Sequence, residues 1–400
     1  MTGLSHQSPY AGGLAARAHF TADPTCGIAY GPGSVERLPE LLATTGHARA
    51  FVVTDPGLRA AGVVDRVLRV LDTAGVEYGV YGDVAPNPST ANVDAGAAAA
   101  RAFGPAAVVA LGGGSSLDAA KGVSLLAGNP RAQAADADTL WEAEDGLPLI
   151  AVPTTSGTGA ETNGFGVIED TATYRKIYIG HSSVKPRVAL LDPELTLGLP
   201  AHVTAATGID ALVHGIESLA SRGANAVSVA FAAQAVALVG RWLPAAYRDG
   251  SDLEARSQLM LGAHLAGQAL TISGLGLVHG IGHALTAHTG TPHGVALAAV
   301  FEEVMEFSLP QALPAYEEAA HALRARPVSG AAPEDWARAA VEAVREISGQ
   351  IEVKKPLREL RATRDLLPAV AAGALADPVT RNAPLQPTER EVLEMLLTVF

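Results

Sequence analysis

The residues best suited to chemistry in this chain lie between Gly208 and Gly294. One end reads Gly208-Ile209-Asp210-Ala211-Leu212-Val213-His214, and the other reads His279-Gly280-Ile281-Gly282-His283 and then Thr291-Pro292-His293-Gly294. Asp210 and His214 are four apart, so a helix carries both on one face, one turn apart. His279 and His283 repeat the spacing, and His293 follows a proline in what reads as a short loop. One carboxylate with several imidazoles is the donor set that a divalent cation takes. Asp210, His214, His279 and His293 are therefore expected to hold a catalytic metal. A hard carboxylate beside three imidazoles suits Fe2+ or Zn2+ alike.

Two further stretches could hold a phosphate-bearing ligand. Ala107 to Leu111 is a near-continuous apolar run that leads into Gly112-Gly113-Gly114-Ser115-Ser116, and a helix is expected from Leu117 to Leu126. Strand, glycines, helix is the arrangement in which backbone N–H groups approach an anion at a positive helix end. The spacing is not that of the dinucleotide fingerprint GxGxxG. The second stretch, Pro153 to Asn163, is rich in hydroxyls and glycine, including Thr154, Thr155 and Thr158, and is fit to wrap a polar ligand. Asp55 ends an earlier strand. There it would accept hydrogen bonds from an adenosine ribose and repel a 2′-phosphate, which favours NAD over NADP. Asp118 is expected to bind the cofactor beside the glycine turn; otherwise it and Lys121 read as surface residues of that helix, Asp118 being able to bond the loop. Lys176 is expected to reach the cofactor's phosphates or ribose. Asn163 is expected to meet a polar group of the substrate and Phe165 to wall its pocket.

These groups need a scaffold. Apolar strands at 50–54, 76–81, 107–111, 148–152 and 188–191 alternate with helical segments at 57–74 and 91–103. That alternation predicts a parallel sheet covered on both faces. Residues 129–146 read as a loop, and 164–168 with 176–179 as a hairpin. Beyond Pro200 the periodicity is helical throughout, as in 227–242, 252–270, 333–348 and 387–397, with Pro387 expected to open the last helix. The expected organisation is a disordered start at 1–18, an α/β NAD-binding domain at 19–199 and an all-helical metal and catalytic domain at 200–400.

Bulk properties narrow the class. An apolar fraction of 48% and a charged fraction of 17% suit a well-buried globular protein. A formal charge of −13 argues against nucleic acid or an anionic membrane as the main partner. The single cysteine, Cys26, rules out an intrachain disulfide and suits a reducing cytoplasm. The opening residues show no apolar leader, and no run reads as long and apolar enough to cross a bilayer.

In order along the chain, Gly112-Gly113-Gly114-Ser115 with Asp118 and Lys121, then Pro153 to Gly159, then the Asp210, His214, His279 and His293 set resemble the iron-containing (group III) alcohol dehydrogenases. Lesser matches are Gly31-Pro32-Gly33-Ser34, Pro86-Asn87-Pro88 and Asp192-Pro193-Glu194-Leu195-Thr196. Alone, Asp210 and His214 would read as an ordinary helix carboxylate and a hydrogen-bonded histidine; in register with the other motifs they read as ligands. The resemblance implies an NAD-linked, metal-dependent oxidoreductase that moves hydride between an alcohol and nicotinamide. His283 then matches a position beside the nicotinamide, as a proton relay. His288 is expected to be exposed or to stand just behind the metal ligands, and His202, His264 and His321 to be structural or surface residues. The family also implies a homodimer or larger homo-oligomer. The alternative readings are a dehydroquinate-synthase-like lyase that uses NAD and a metal, and a maleylacetate-reductase-like or glycerol-dehydrogenase-like enzyme.

Overall fold

A computed structural model describes residues 26–171, 175–330 and 332–400. The stretch expected to be disordered, 1–18, lies outside them. The described chain forms two compact units that divide between Leu199 and Pro200.

The first unit runs through β1 (Gly27–Tyr30), α1 (Leu38–Thr44), β2 (Ala50–Val53), α2 (Pro56–Ala60), α3 (Val63–Thr73), β3 (Tyr78–Tyr81), α4 (Thr90–Phe103), β4 (Ala107–Gly112), α5 (Gly114–Gly128), β5 (Leu149–Pro153), β6 (Phe165–Asp170), β7 (Arg175–Gly180) and β8 (Val188–Leu191). Among the described residues the main sheet is six-stranded and parallel, in the order β1-β8-β5-β4-β2-β3. Its strands are apolar at successive positions because both faces are covered. Ala50 and Val52 pack into a core with Leu38, Leu42, Val64 and Val67, whereas Phe51 and Val53 pack into another with Val93, Ala97, Leu117 and Val123. Each fully buried Val or Leu contributes about 1.5–3 kcal/mol to such a core. β6 and β7 pair antiparallel as the expected hairpin.

The strand order reverses beside β2: β3 lies on one side of it and β4 on the other. The carboxyl ends of β2 and β4 therefore flank a topological switch point, where open α/β sheets place their ligands. Asp55 and the glycine turn both follow these ends.

Several details differ from the sequence expectations. β1 and α1 have no counterpart in the sequence reading, because β1 is an edge strand in which only Ala29 is buried, and so lacks a buried apolar run. The helix expected over 57–74 is broken at Gly62, which takes a left-handed φ of 76° and starts α3. α5 begins at Gly114, not Leu117, and the expected loop at 129–146 holds a 3₁₀ segment, Ala134–Glu142. Two of the lesser motifs meet each other. The buried Asp192 accepts hydrogen bonds from Gly33 N and Val35 N, both at 3.1 Å, and so fastens the Gly31–Ser34 turn to the end of β8.

The second unit contains α6 (Ala201–Ala220), α7 (Ala226–Arg248), α8 (Leu253–Ser273), α9 (Leu277–Thr289), α10 (His293–Leu323), α11 (Pro333–Gln350), α12 (Leu367–Ala376) and α13 (Glu389–Thr398). α7 corrects one expectation. With 23 residues, most of them apolar, it is long and apolar enough to cross a membrane by length and composition. Here its Ala232, Ala235, Val236, Val239 and Leu243 form a buried stripe in the helical core. Pro387 does not open the last helix. Thr388 is its N-cap, accepting from Glu391 N, with the reciprocal bond of a capping box. His293 does not sit in a loop either: it is the first residue of α10, which Pro292 precedes.

Candidate metal and cofactor sites

Three helices bring the polar residues of the second unit together. α6 carries Asp210, His214 and Glu217 at i, i+4 and i+7, one face of a helix otherwise buried in apolar core. α9 carries His279 and His283 one turn apart. α10 supplies His293 at its first position, where the next residue must be glycine. A Cβ on Gly294 would lie 1.8 Å from the Ala206 carbonyl oxygen, so glycine alone lets α10 start against the backbone of α6.

Asp210 Oδ1 is the centre of the group. His214 Nε2 lies 3.2 Å from it, His279 Nε2 3.4 Å and His293 Nε2 3.8 Å. Donor atoms of Asp210, His279 and His293 all fall within 4.8 Å of one another. The rings of His214 and His279 stack at 4.7 Å between centroids. Asp210 and His279 are 2% and 1% exposed, yet Asp210 Oδ1 and His279 Nε2 make no hydrogen bond within the protein. Two buried, unsatisfied polar atoms aimed at one point are costly unless something else occupies that point. One carboxylate oxygen and the imidazole nitrogens suit a divalent cation, so the donor set fits.

In the metal-free cluster an ionised Asp210 faces a protonated His279, whose Nε2 proton must leave before that atom can ligate. Burial pushes the Asp210 carboxyl up, but His214, His279 and His293 outweigh it and hold its pKa well below the usual range. Burial also opposes charge on His279, but Glu217 and Asp210 prevail and raise it to about 9. His293 is pushed down to about 3, by burial first, with Asp210 opposing and the neighbouring histidines adding to the fall.

His283 stands at the edge of the cluster, its ring 5.3 Å from that of His293 and stacked on it. Its Nδ1 lies 2.7 Å from Asp377 Oδ2, while Asp377 Oδ1 accepts from Val379 N at 3.0 Å. Two carboxylates of this centre were not singled out by sequence reasoning. Glu217 meets His279 Nδ1 at 2.6 Å, and the signal for it was its place seven residues beyond Asp210 on the same helix face. Asp377 carries no such signal, since it is 94 residues from His283. His288 is exposed, as expected, and His264 is buried against Gln268.

In the first unit the glycine turn and the threonine loop come together. Gly112 has a φ of 150°, and its added Cβ would lie 2.5 Å from that of Ser116. Cβ atoms added at Gly113 and Gly114 would meet Thr155 Cγ2 at 3.3 Å and Thr158 Cγ2 at 2.8 Å. Thr154 N donates to Gly112 O at 3.0 Å. Ser115 lies in the first turn of α5, which itself holds no acidic residue and whose N–H groups lack intrahelical acceptors. Asp55 is the N-cap of α2: Oδ1 accepts from Leu58 N at 3.0 Å and Oδ2 from Ser116 Oγ at 2.9 Å. Lys176 Nζ donates to Asn87 Oδ1 at 3.1 Å.

Lys121 is not a surface residue, and Asp118 is only 18% exposed. Lys121 is 1% exposed and donates to Asn163 Oδ1 at 2.8 Å and to Phe165 O at 2.5 Å, with Asp118 Oδ1 at 3.5 Å. Asp118 Oδ2 accepts from Val167 N at 3.0 Å. Burial lowers the Lys121 pKa against the pull of Asp118, and raises that of Asp118 against the pull of Lys121. The pair clamps the β6–β7 hairpin to α5. Asn163 Oδ1 also accepts from Phe165 N at 3.1 Å, which leaves the amide NH2 as its group for a ligand. The half-buried Phe165 ring tilts against Tyr178 at 5.9 Å.

Comparison with known proteins covers both units. The family described as iron-containing alcohol dehydrogenase matches residues 24–193, and its C-terminal family matches 204–400. The chain is 38% identical over 354 residues to "Probable alcohol dehydrogenase EutG" of Escherichia coli (strain K12), covering 88% of each chain. It is similar to the crystal structure of 1,3-propanediol oxidoreductase, with a TM-score of 0.88 and 32% identity over 95% of this chain and 100% of that one. It is also similar to the sulfoacetaldehyde reductase from Bifidobacterium kashiwanohense in complex with NAD+, with a TM-score of 0.86 and 26% identity over 95% of this chain and 98% of that one.

Proposed function

This chain belongs to the iron-containing alcohol dehydrogenase family and is an oxidoreductase acting on CH–OH groups, and we propose how its residues divide that work. Asp210, His214, His279 and His293 hold a divalent cation, Fe2+ first and Zn2+ second. The α/β unit binds NAD. The diphosphate lies at the amino end of α5, against Gly112, Gly113, Gly114 and Ser115, with Thr154, Thr155 and Thr158 around it. Asp55 faces the adenosine ribose, and its charge disfavours a 2′-phosphate. Lys176 reaches the same ligand, and Asp118 sets the hairpin that carries Asn163 and Phe165 beside the substrate.

When bound, the cation supplies Lewis acidity toward an alcohol or aldehyde oxygen, and the nicotinamide supplies the hydride acceptor or donor. The protein contributes position and a proton path. With Nδ1–H committed to Asp377, neutral His283 presents its lone pair at Nε2, and that atom takes the alcohol's proton in oxidation and returns it in reduction. The substrate is a small alcohol or aldehyde of the kind those relatives are named for. The exposed edge strand β1, with Ile28 51% and Tyr30 39% exposed, supports a homo-oligomer. A lone buried cysteine suits the cytoplasm.

The observation that carries this reading is the convergence of Asp210, His279 and His293 around polar atoms that nothing in the protein satisfies. Metal analysis of protein purified without chelators, followed by a panel of simple alcohols with NAD+, tests it. We expect about one metal ion per chain and NADH formed with at least one alcohol. His279→Ala should lose the metal or the turnover, and a variant that kept both at the wild-type level would refute the assignment.

A further inference from the structure

We propose that Glu217 is a positioning residue that fixes which nitrogen of His279 faces the cation, and does so by tying α6 to the first turn of α9. The proposal rests on the metal reading above. Glu217 lies seven residues after Asp210 and three after His214, so it continues their face of α6. Its side chain is 8% exposed, and among the described residues its carboxylate has three hydrogen-bond partners, all from the start of α9. Gly276 N donates to Oε2 at 2.9 Å, Val278 N to Oε1 at 2.7 Å, and His279 Nδ1 meets Oε2 at 2.6 Å.

The first two bonds take N–H groups that a helix start leaves without intrahelical acceptors, and negative charge is favourable at that end. The third bond selects the tautomer. An ionised carboxylate only accepts, so Nδ1 carries the hydrogen, and the neutral ring then has its lone pair on Nε2. That is the nitrogen 3.4 Å from Asp210 Oδ1. Gly276 is part of the device, since a Cβ there would come within 2.9 Å of Glu217 Oε1. One carboxylate on the helix of Asp210 and His214 thus sets both the ring orientation of His279 and the seat of α9. The site is arranged before any ion arrives.

In Glu217→Gln one carboxylate oxygen becomes an NH2 donor, so either Val278 N or the pair Gly276 N and His279 Nδ1 loses its acceptor, and the neutral amide oxygen holds the Nδ1 hydrogen less firmly than a carboxylate does. Zn2+ affinity, read by competition with a chromophoric chelator, should fall roughly 10–100-fold. In a His279→Ala background the same change should have no further effect, because Glu217 acts through that ring. Wild-type Zn2+ affinity in Glu217→Gln, or an equal loss in both backgrounds, would overturn the proposal. If the wild-type protein binds no Zn2+, the metal reading falls with it, whereas wild-type binding with an unaffected Glu217→Gln removes the positioning role alone. Should Glu217→Gln not fold, the Co2+-loaded wild-type protein still decides. Its proton spectrum should contain an exchangeable, hyperfine-shifted N–H signal that disappears in His279→Ala, and absence of that signal from the wild type would overturn the proposal.

Discussion

Asp210, His279 and His293 titrate against one another, and their opposed shifts give the metal-free protein a pH signature. The His279 pKa is raised from 6.5 to about 9. A raised base contributes stability that is fully present below 6.5 and is lost as pH climbs through about 9, on the order of 3 kcal/mol for a shift of this size. The His293 pKa is lowered from 6.5 to about 3, so below 6.5 the unfolded chain binds a proton that the folded one refuses, and stability falls toward acid. The depressed Asp210 adds to the acid loss below its ordinary range. Thermal melts in chelator across pH 5 to 9 should therefore peak near 6.5. Saturating Zn2+ should flatten the alkaline limb, because ligation displaces the His279 proton anyway. A monotonic profile in chelator would contradict these assignments. At this scale the sequence showed the residue types and the i, i+4 spacings, since both follow from helix geometry alone. It did not show Glu217 or Asp377 as partners of His279 and His283, because those bonds span 62 and 94 residues.

Helices decide whether these side chains converge, and glycine decides how closely the helices approach. The test is Gly294→Ala. The methyl group would strike the Ala206 backbone, which cannot rotate away as a side chain can. α10 would have to lift from α6 and carry His293 away from Asp210. We expect a destabilisation of about 1–3 kcal/mol or more in denaturant melts, together with weaker Zn2+ binding; wild-type values for both would show that the helix start has slack. The same scale explains the misplaced boundaries. Apolar periodicity marks the body of α5 and α10, but their first turns, Gly114 to Ser116 and His293-Gly294, are polar or glycine-rich and read as loop. Tertiary contacts extend both helices: Ser116 to Asp55, and Gly294 against Ala206. Lys121 was misjudged for a related reason. A lysine on a helix is usually exposed, and only the β6–β7 hairpin folded over α5 supplies the acceptors that let it be buried.

Across the whole molecule, each of the two units has its own core, Thr25–Leu199 around the sheet and Pro200–Phe400 around α6, α7, α8 and α10. A ligand that binds only the native form stabilises it by mass action, about 2.7 kcal/mol at a hundred times Kd. Hydrogen exchange should therefore respond unit by unit. NAD+ should slow exchange first in the amides of 107–117 and 153–160, and Zn2+ first in those of 208–218 and 276–294. Protection by NAD+ confined to the helical unit would contradict the division of labour. The net charge of −13 is a property of the whole chain, relevant to solubility and to partner class, and it did not bear on fold.

The sequence by itself determined the class of chemistry and the order of the architecture. Donor types at helical spacing raise the expectation of a metal site, a strand running into glycines that of an anion site, and the change from alternating strands to helices at Pro200 divides the chain. Each of these patterns is local, read within a window of about 11–18 residues. Only the tertiary structure decided which donors share one point, which carboxylate fixes which imidazole, and which glycines exist to let helices touch. Those depend on contacts between distant segments, and nothing in local periodicity records the distance between two helices once they have packed.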